Sequence, residues 1–383
     1  MIEPRPPQPP EPRFDGILRH ARQKAEDTLR EYRAVAGALF ERHQSLLTDR
    51  QRGLMGSLLR QIVGDIEASL HQLLLAGGEG EDWVARETME TVHRRGASGA
   101  YDRLAYAGAL NDLALMEAVI HRLYEHQLDR ALRQPSALGW PGGAQDEDEL
   151  FAALAPDAPL QVRELLEAYA VDRSLRIDGY GNPVLDPVEL PPALAEQLHW
   201  LVAAALRETL PAAGSVERAR IDRLLDDSVN GAIDLLRVRA AAGTRAAAAA
   251  EAFSAAGMLD CELALKALRH AAIPLFEALL IRLTELRPVL VRRLLYETGG
   301  ESLAVAMRAV GASGDEFIEL YSTTRRARAM PRLDEAADLD RILTFFDRVP
   351  ESEAMLVCGY WRRNPALQAA LWRLGLSGDV GDE

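Results

Sequence analysis

Residues 48–78 read TDRQRGLMGSLLRQIVGDIEASLHQLLLAGG. Leu54, Leu58, Ile62, Ile66 and Leu70 recur every fourth position, which aligns them in one stripe along an α-helix. Thr48 and Gln51 have capping-box spacing, in which hydroxyl and amide each satisfy a free end amide. Gly77-Gly78 supplies the stop, because glycine readily ends a helix. One well-bounded amphipathic helix is thus written in full, and the rest of the chain repeats its pattern.

Upstream, Ile17, Leu18, Ala21, Ala25, Leu29, Tyr32, Ala36 and Leu39 or Phe40 form a second stripe, predicting a helix from Phe14 to about Arg42. Downstream, helices are expected at 81–95, 99–109, 112–124, 126–133, 147–155 and 159–171. The second half predicts helices at 191–210, 215–241, 244–256, 260–270, 273–285, 287–297, 300–310, 314–327, 335–348 and 351–374. Ser313 with Glu316 is a second capping box. Between these runs, 176–192 (RIDGYGNPVLDPVELPP) carries two glycines, four prolines and the turn residues Asp178, Asn182 and Asp186. It reads as an inter-domain connection, with a short hairpin at Tyr180-Gly181-Asn182. The expected organisation is a proline-rich leader (1–13), a helical domain (14–175), a linker (176–192), a second helical domain (193–376) and a tail (377–383).

Composition agrees with an all-α chain of short stacked helices. Hydrophobic residues make up 48% of the 383 positions and aromatics only 6%, so the cores rest on Leu, Ala, Val and Ile. Ala and Leu are also strong helix formers. The formal charge of −14 disfavours general binding to a phosphate backbone. Cys261 and Cys358 are far apart and form no C-x-x-C pair, so they read as reduced buried thiols. The leader has no apolar core resembling a secretory signal. No run of about eighteen uncharged apolar residues appears, so membrane insertion is not expected and the cytoplasm is the expected location.

The halves also match each other. Leu115 to Leu123 (LMEAVIHRL) aligns with Leu275 to Leu283 (LFEALLIRL), with five of nine positions identical. Leu128-Asp129-Arg130-Ala131-Leu132 then aligns with Val291-Arg292-Arg293-Leu294-Leu295. Asp148-Glu149-Leu150-Phe151 resembles Gly314-Asp315-Glu316-Phe317. The expectation is an internal duplication, a stacking unit used twice.

Leu268-Arg269-His270, Pro274 to Leu280, Val291 to Leu295, Gly299-Gly300-Glu301-Ser302-Leu303-Ala304-Val305 and Ala309-Val310-Gly311 resemble the domain of unknown function 2336 family of alphaproteobacteria. Leu47 to Arg52 and Val63 to Glu67 are similar to that family's leading helices. The resemblance implies a helical bacterial protein. It implies no catalytic residues.

Several residues carry candidate chemistry, each beside a plainer role. Glu117, His121 and Glu125 are four apart and line one helix face, a spacing open to a metal ion and equally to a polar surface. The second half has Ile281 in place of His121. His71, following Glu67 and Ser69 on a long helix, is the candidate phosphoacceptor; packing is its alternative. Gly299-Gly300-Glu301-Ser302 precedes a helix whose free amides suit an anion. Glu301 would repel phosphate, and a helix stop explains the glycines. Arg325, Arg326, Arg328 and Arg332 form the strongest basic cluster, and with Arg122 and Arg282 they are the candidate partner-binding residues.

No nucleotide loop, catalytic triad or metal–cysteine set stands out, and no cofactor is expected. The expected function is a non-enzymatic regulatory or adaptor protein acting through protein partners or self-association. The rival readings are a histidine phosphotransfer module and a metal-dependent helical enzyme.

Overall fold

The computed structural model describes residues 14–40, 47–77, 99–133, 154, 158–209, 214–297, 299–327, 335–364, 366–368 and 370. In chain order the helices begin with α1 (Phe14–Phe40), α2 (Asp49–Gly77), α3 (Gly99–Tyr106), α4 (Leu113–Arg133) and α5 (Leu160–Ser174). After a 3-10 turn at Pro187–Glu189 come α6 (Pro192–Arg207), α7 (Ser215–Ala242), α8 (Arg245–Ala255), α9 (Cys261–Arg269) and α10 (Ile273–Thr284). The last are α11 (Pro288–Tyr296), α12 (Glu301–Ala309), α13 (Gly314–Thr324), α14 (Glu335–Arg348) and α15 (Glu351–Arg362). The fold is all-α. Among the described residues the extended pairing is a single antiparallel bridge, Ile177 to Pro183, where the hairpin was expected.

Both capping boxes form. The Thr48 amide donates to Gln51 Oε1 at 3.0 Å, and the Gln51 amide returns to Thr48 Oγ1 at 3.2 Å. Ser313 and Glu316 do the same at 2.7 and 3.2 Å. Substituting such a cap by alanine typically costs ~1 kcal/mol.

The chain divides into two compact units, and the division is not sequential. One unit takes Glu31–Leu123 and Ala170–Arg245; the other takes Met1–Arg30, Tyr124–Tyr169 and Ala246–Glu383. The expected boundary at 176–192 is therefore corrected. Leu185 and Leu190 are buried. The Arg122 guanidinium donates to Val184 O at 2.7 Å and to Arg176 O at 3.0 Å. These contacts make 176–190 an integral part of the two-segment unit. Proline and glycine shape its turns and do not mark a free connection.

In the two-segment unit, α2, α3, α6 and α7 pack on one another. The stripe read from the sequence is the core: Leu58, Ile62, Ile66 and Leu70 are fully buried. Each contributes roughly 1.5–3 kcal/mol by leaving water. Arg60 lies over the Tyr101 ring at 4.6 Å, and Arg103 donates to Ala205 O at 3.2 Å, tying α3 to α2 and α6.

In the three-segment unit, α12 is the central element. Every residue from Glu301 to Met307 is buried, as expected of a helix surrounded by packing partners. It packs chiefly against α14 and α15, and also against α10, α11 and α13. The Phe317 and Phe346 rings stack beside it at 4.6 Å. α9 ends on Ala271 at φ 53, whose amide and that of Ala272 return to Leu268 O and Ala267 O, both at 2.9 Å. This left-handed helix stop satisfies the last carbonyls and turns the chain directly into α10.

Three expectations change. Residues 113–133 form one helix and not two. The helix beginning at Glu351 closes at Arg362. The matched stretches 115–123 and 275–283 both lie on helices, with Glu117 and Glu277 buried in each. They then diverge: α4 runs on to Arg133, whereas α10 stops at Glu285 (φ 54) and Pro288 opens a new helix. A duplicated domain is not established by that local likeness. The leader, the helix at 81–95, nearly all of that at 147–155, the tail, Arg328 and Arg332 lie outside the described residues.

Candidate functional site

A convergence of ionisable side chains lies where α11 gives way to α12. Gly300 sits at the α12 N-cap with φ 81 and has no side chain to cap the helix. Glu297 does so instead: its Oε1 accepts from the Ser302 amide at 2.8 Å. Glu301 Oε1 accepts from Arg341 Nη1 at 2.6 Å, and His20 Nε2 stands 3.8 Å from it. Arg341 Nη2 also reaches Gly299 O at 3.1 Å and Asp338 Oδ1 at 3.0 Å. Tyr321 Oη donates to Asp338 Oδ2 at 2.8 Å. Arg325 donates to Tyr321 Oη and lies over the ring at 4.3 Å.

The two glycines are what allow this approach. A Cβ on Gly299 would stand 1.8 Å from Glu301 Oε2, and one on Gly300 would stand 2.1 Å from Tyr321 Cε2. The motif is a helix start, as the sequence suggested, and its amide is taken by the protein's own carboxylate.

The electrostatics follow from burial. Glu297 is pushed up to about 7, first by desolvation; hydrogen bonds from Ser302 and Leu303 oppose this, and the Glu301 charge adds to it. Burial also pushes Glu301 upward, but its own amide, the Arg341 hydrogen bond and the charges of Arg341 and Lys24 leave it below the usual range. Asp338 is likewise raised by burial and brought down overall by Tyr321 and Arg341. Burial drives the Tyr321 phenol upward. The group can therefore bind a proton near neutrality. It presents no activated nucleophile.

The residues singled out in the sequence fall elsewhere or play other parts. Glu117 and His121 are buried, 3.9 Å apart, and His121 Nε2 pairs with Tyr32 Oη at 2.8 Å. Glu125 is half-buried. The metal-candidate spacing is not assembled as a ligand set: among the described residues no group of three His, Cys, Asp or Glu side chains is placed to hold a metal ion. His71 is half-buried on α2. Arg122 is buried on the carbonyls of 176 and 184, which corrects its reading as a partner-facing residue. Arg282 is exposed and pairs with Glu251 at 2.8 Å. Arg325 is turned inward onto Tyr321, and Arg326 is half-buried.

A second buried cluster joins Glu277 to Arg292 Nε at 2.9 Å, with Tyr296 Oη 3.4 Å away. Sequence reasoning gave no chemistry to Glu297, Tyr321 and Arg341, and took Asp338 only as one of the acids neutralising the basic cluster. The available signal was Glu297 and Glu301, four apart across a Gly-Gly pair.

No helix among the described residues is long and apolar enough to cross a membrane. No curated protein and no solved structure matches the chain. Residues 144–359 match the DUF2336 family, described as an uncharacterised protein conserved in bacteria, and that span includes Glu297, Glu301, Tyr321, Asp338 and Arg341. The match covers more than half of the sequence, and the chain belongs to the DUF2336 family.

Proposed function

We propose that the chain is a non-enzymatic cytoplasmic regulatory or adaptor protein that works through contacts with a protein partner. The observation that carries this reading is the inward commitment of its buried charges. Glu297 caps a helix, Arg122 binds backbone carbonyls, and Glu277 and Glu301 are paired with arginines. Catalytic groups need reacting atoms within reach; these are occupied with structure. Large apolar side chains, by contrast, stand in the open on the two-segment unit. Within ten residues, Val171, Leu175 and Tyr180 are 63%, 69% and 93% exposed. An aromatic and two aliphatics in the open suit a protein contact.

The test is affinity capture with the full chain from its native cell, run beside the Leu175→Ser/Tyr180→Ser double variant. The expected result is a stoichiometric partner that the variant loses while its circular dichroism is unchanged. Acid-labile phosphate on His71, or a stoichiometric metal after purification, would overturn the reading in favour of phosphotransfer or metal chemistry.

A further inference from the structure

We propose that the Glu297–Glu301 pair at the start of α12 is a proton-operated latch, which takes up one proton on mild acidification and thereby tightens the joint between α11 and α12. Glu297 is a buried carboxylate with no arginine, lysine or histidine recorded against it among the described residues; its partners are the amide and hydroxyl of Ser302 and the amide of Leu303. A buried charge without a counter-charge favours its neutral form. The neighbouring carboxylate reinforces this. Glu301 has its Oε1 on Arg341, while its buried Oε2 has no donor. A proton on the pair removes one of two adjacent buried charges and supplies a donor.

The joint is built to respond. Gly299 and Gly300 lie between the two carboxylates, and α12 behind them is buried throughout its first seven residues. The charged and titratable groups around it come from several elements. α1 brings His20 and Lys24, α13 brings Tyr321, and α14 brings Asp338 and Arg341. α11 carries Arg292, Arg293 and Tyr296, α10 carries Glu277 and Arg282, and α15 carries Glu351, Glu353, Cys358, Tyr360 and Arg362. Of these, His20 is the one imidazole, 3.8 Å from Glu301 Oε1, and its replacement is the control.

The sign follows from linkage. The closed joint holds the proton with a midpoint of about 7, against 4.5 for a glutamate released to water. Closure is therefore weakest above pH 7 and strengthens as pH falls toward 5, by roughly seventyfold between pH 8 and 5.

Amide hydrogen exchange of the full chain at pH 8 and pH 5, corrected for intrinsic rates, reads this directly. Wild-type amides of 299–309 should gain protection by roughly that factor at pH 5. Glu297→Gln should show the acid-level protection at both pH values, and His20→Asn should keep the wild-type response. Equal wild-type protection at the two pH values, or a response undiminished in Glu297→Gln, overturns the proposal. Should that variant fail to fold, the carboxyl carbon shift of Glu297 in the wild type decides: a midpoint below 5.5 refutes the latch.

Discussion

Replacing Gly300 by alanine puts a methyl group where the structure has an aromatic ring. The new Cβ would lie 2.1 Å from Cε2, 2.8 Å from Cδ2 and 3.2 Å from Cζ of Tyr321. Carbon atoms settle at about 3.5–4.0 Å, so the overlap exceeds an ångström. The ring has little freedom to yield: it is buried, its hydroxyl is held by Asp338 at 2.8 Å, and Arg325 covers its face. Relieving such overpacking costs about 1–3 kcal/mol. The left-handed backbone at φ 81 adds about 1–2 kcal/mol for any residue with a Cβ. Reduced freedom of the unfolded chain returns about 0.4–1 kcal/mol. Gly300→Ala should therefore destabilise the three-segment unit by about 2–4 kcal/mol. Urea unfolding followed by the fluorescence of buried Trp361 measures this. In a Tyr321→Ala background the clash disappears, and the same substitution should cost only about 1 kcal/mol. A loss below about 1 kcal/mol in the wild type, or an identical loss in both backgrounds, would refute the assignment of Tyr321 as the obstacle.

Removing the Arg292 guanidinium as Arg292→Leu takes the 2.9 Å ion-pair partner from the buried Glu277 carboxylate and should cost about 3 kcal/mol by the same unfolding assay; restoring neutrality with Glu277→Gln in that background should recover much of it. Arg122→Met removes the guanidinium from the Val184 carbonyl and one of two donors from that of Arg176, and limited trypsin digestion should then cut after Arg176 at least several-fold faster. His199 is buried and its imidazole is held below its usual value, chiefly by desolvation against a hydrogen bond to Ala195 O. The neutral form is thus favoured in the fold: its contribution is complete above pH 6.5 and is lost as pH falls below that. The two-segment unit should lose stability from pH 8 to 5.5, and His199→Gln should flatten that slope.

Much of the helical architecture was readable because it is local. The Thr48–Gln51 and Ser313–Glu316 boxes need only three-residue spacing, and the stripe from Leu58 to Leu70 needs only a helical period. The segment 176–192 misled because prolines and glycines announce turns equally in a linker and in a packed loop. What distinguishes the two is the guanidinium of Arg122, more than fifty residues away in sequence. The pair Glu297–Glu301 was visible as spacing, but its chemistry depends on Arg341, Tyr321 and Asp338 meeting it from other helices. The break between α10 and α11 was legible as well, since the reading ended one helix at 285 and began the next at 287, and Pro288 opens the second.

The interleaving of the two units has a bearing on how the molecule is made. During synthesis every residue of the two-segment unit has been made once Arg245 is added, whereas Ile17, Leu18 and Ala21 share a core whose larger part lies from Ala246 onward. The first unit can fold while the second still lacks its later core residues. A truncated gene product spanning 144–359 would keep the family match yet lack those three residues together with Leu128 and Leu132, all of which line the core around α12. Expression trials trimmed to that match should yield aggregates where the intact chain yields a folded protein.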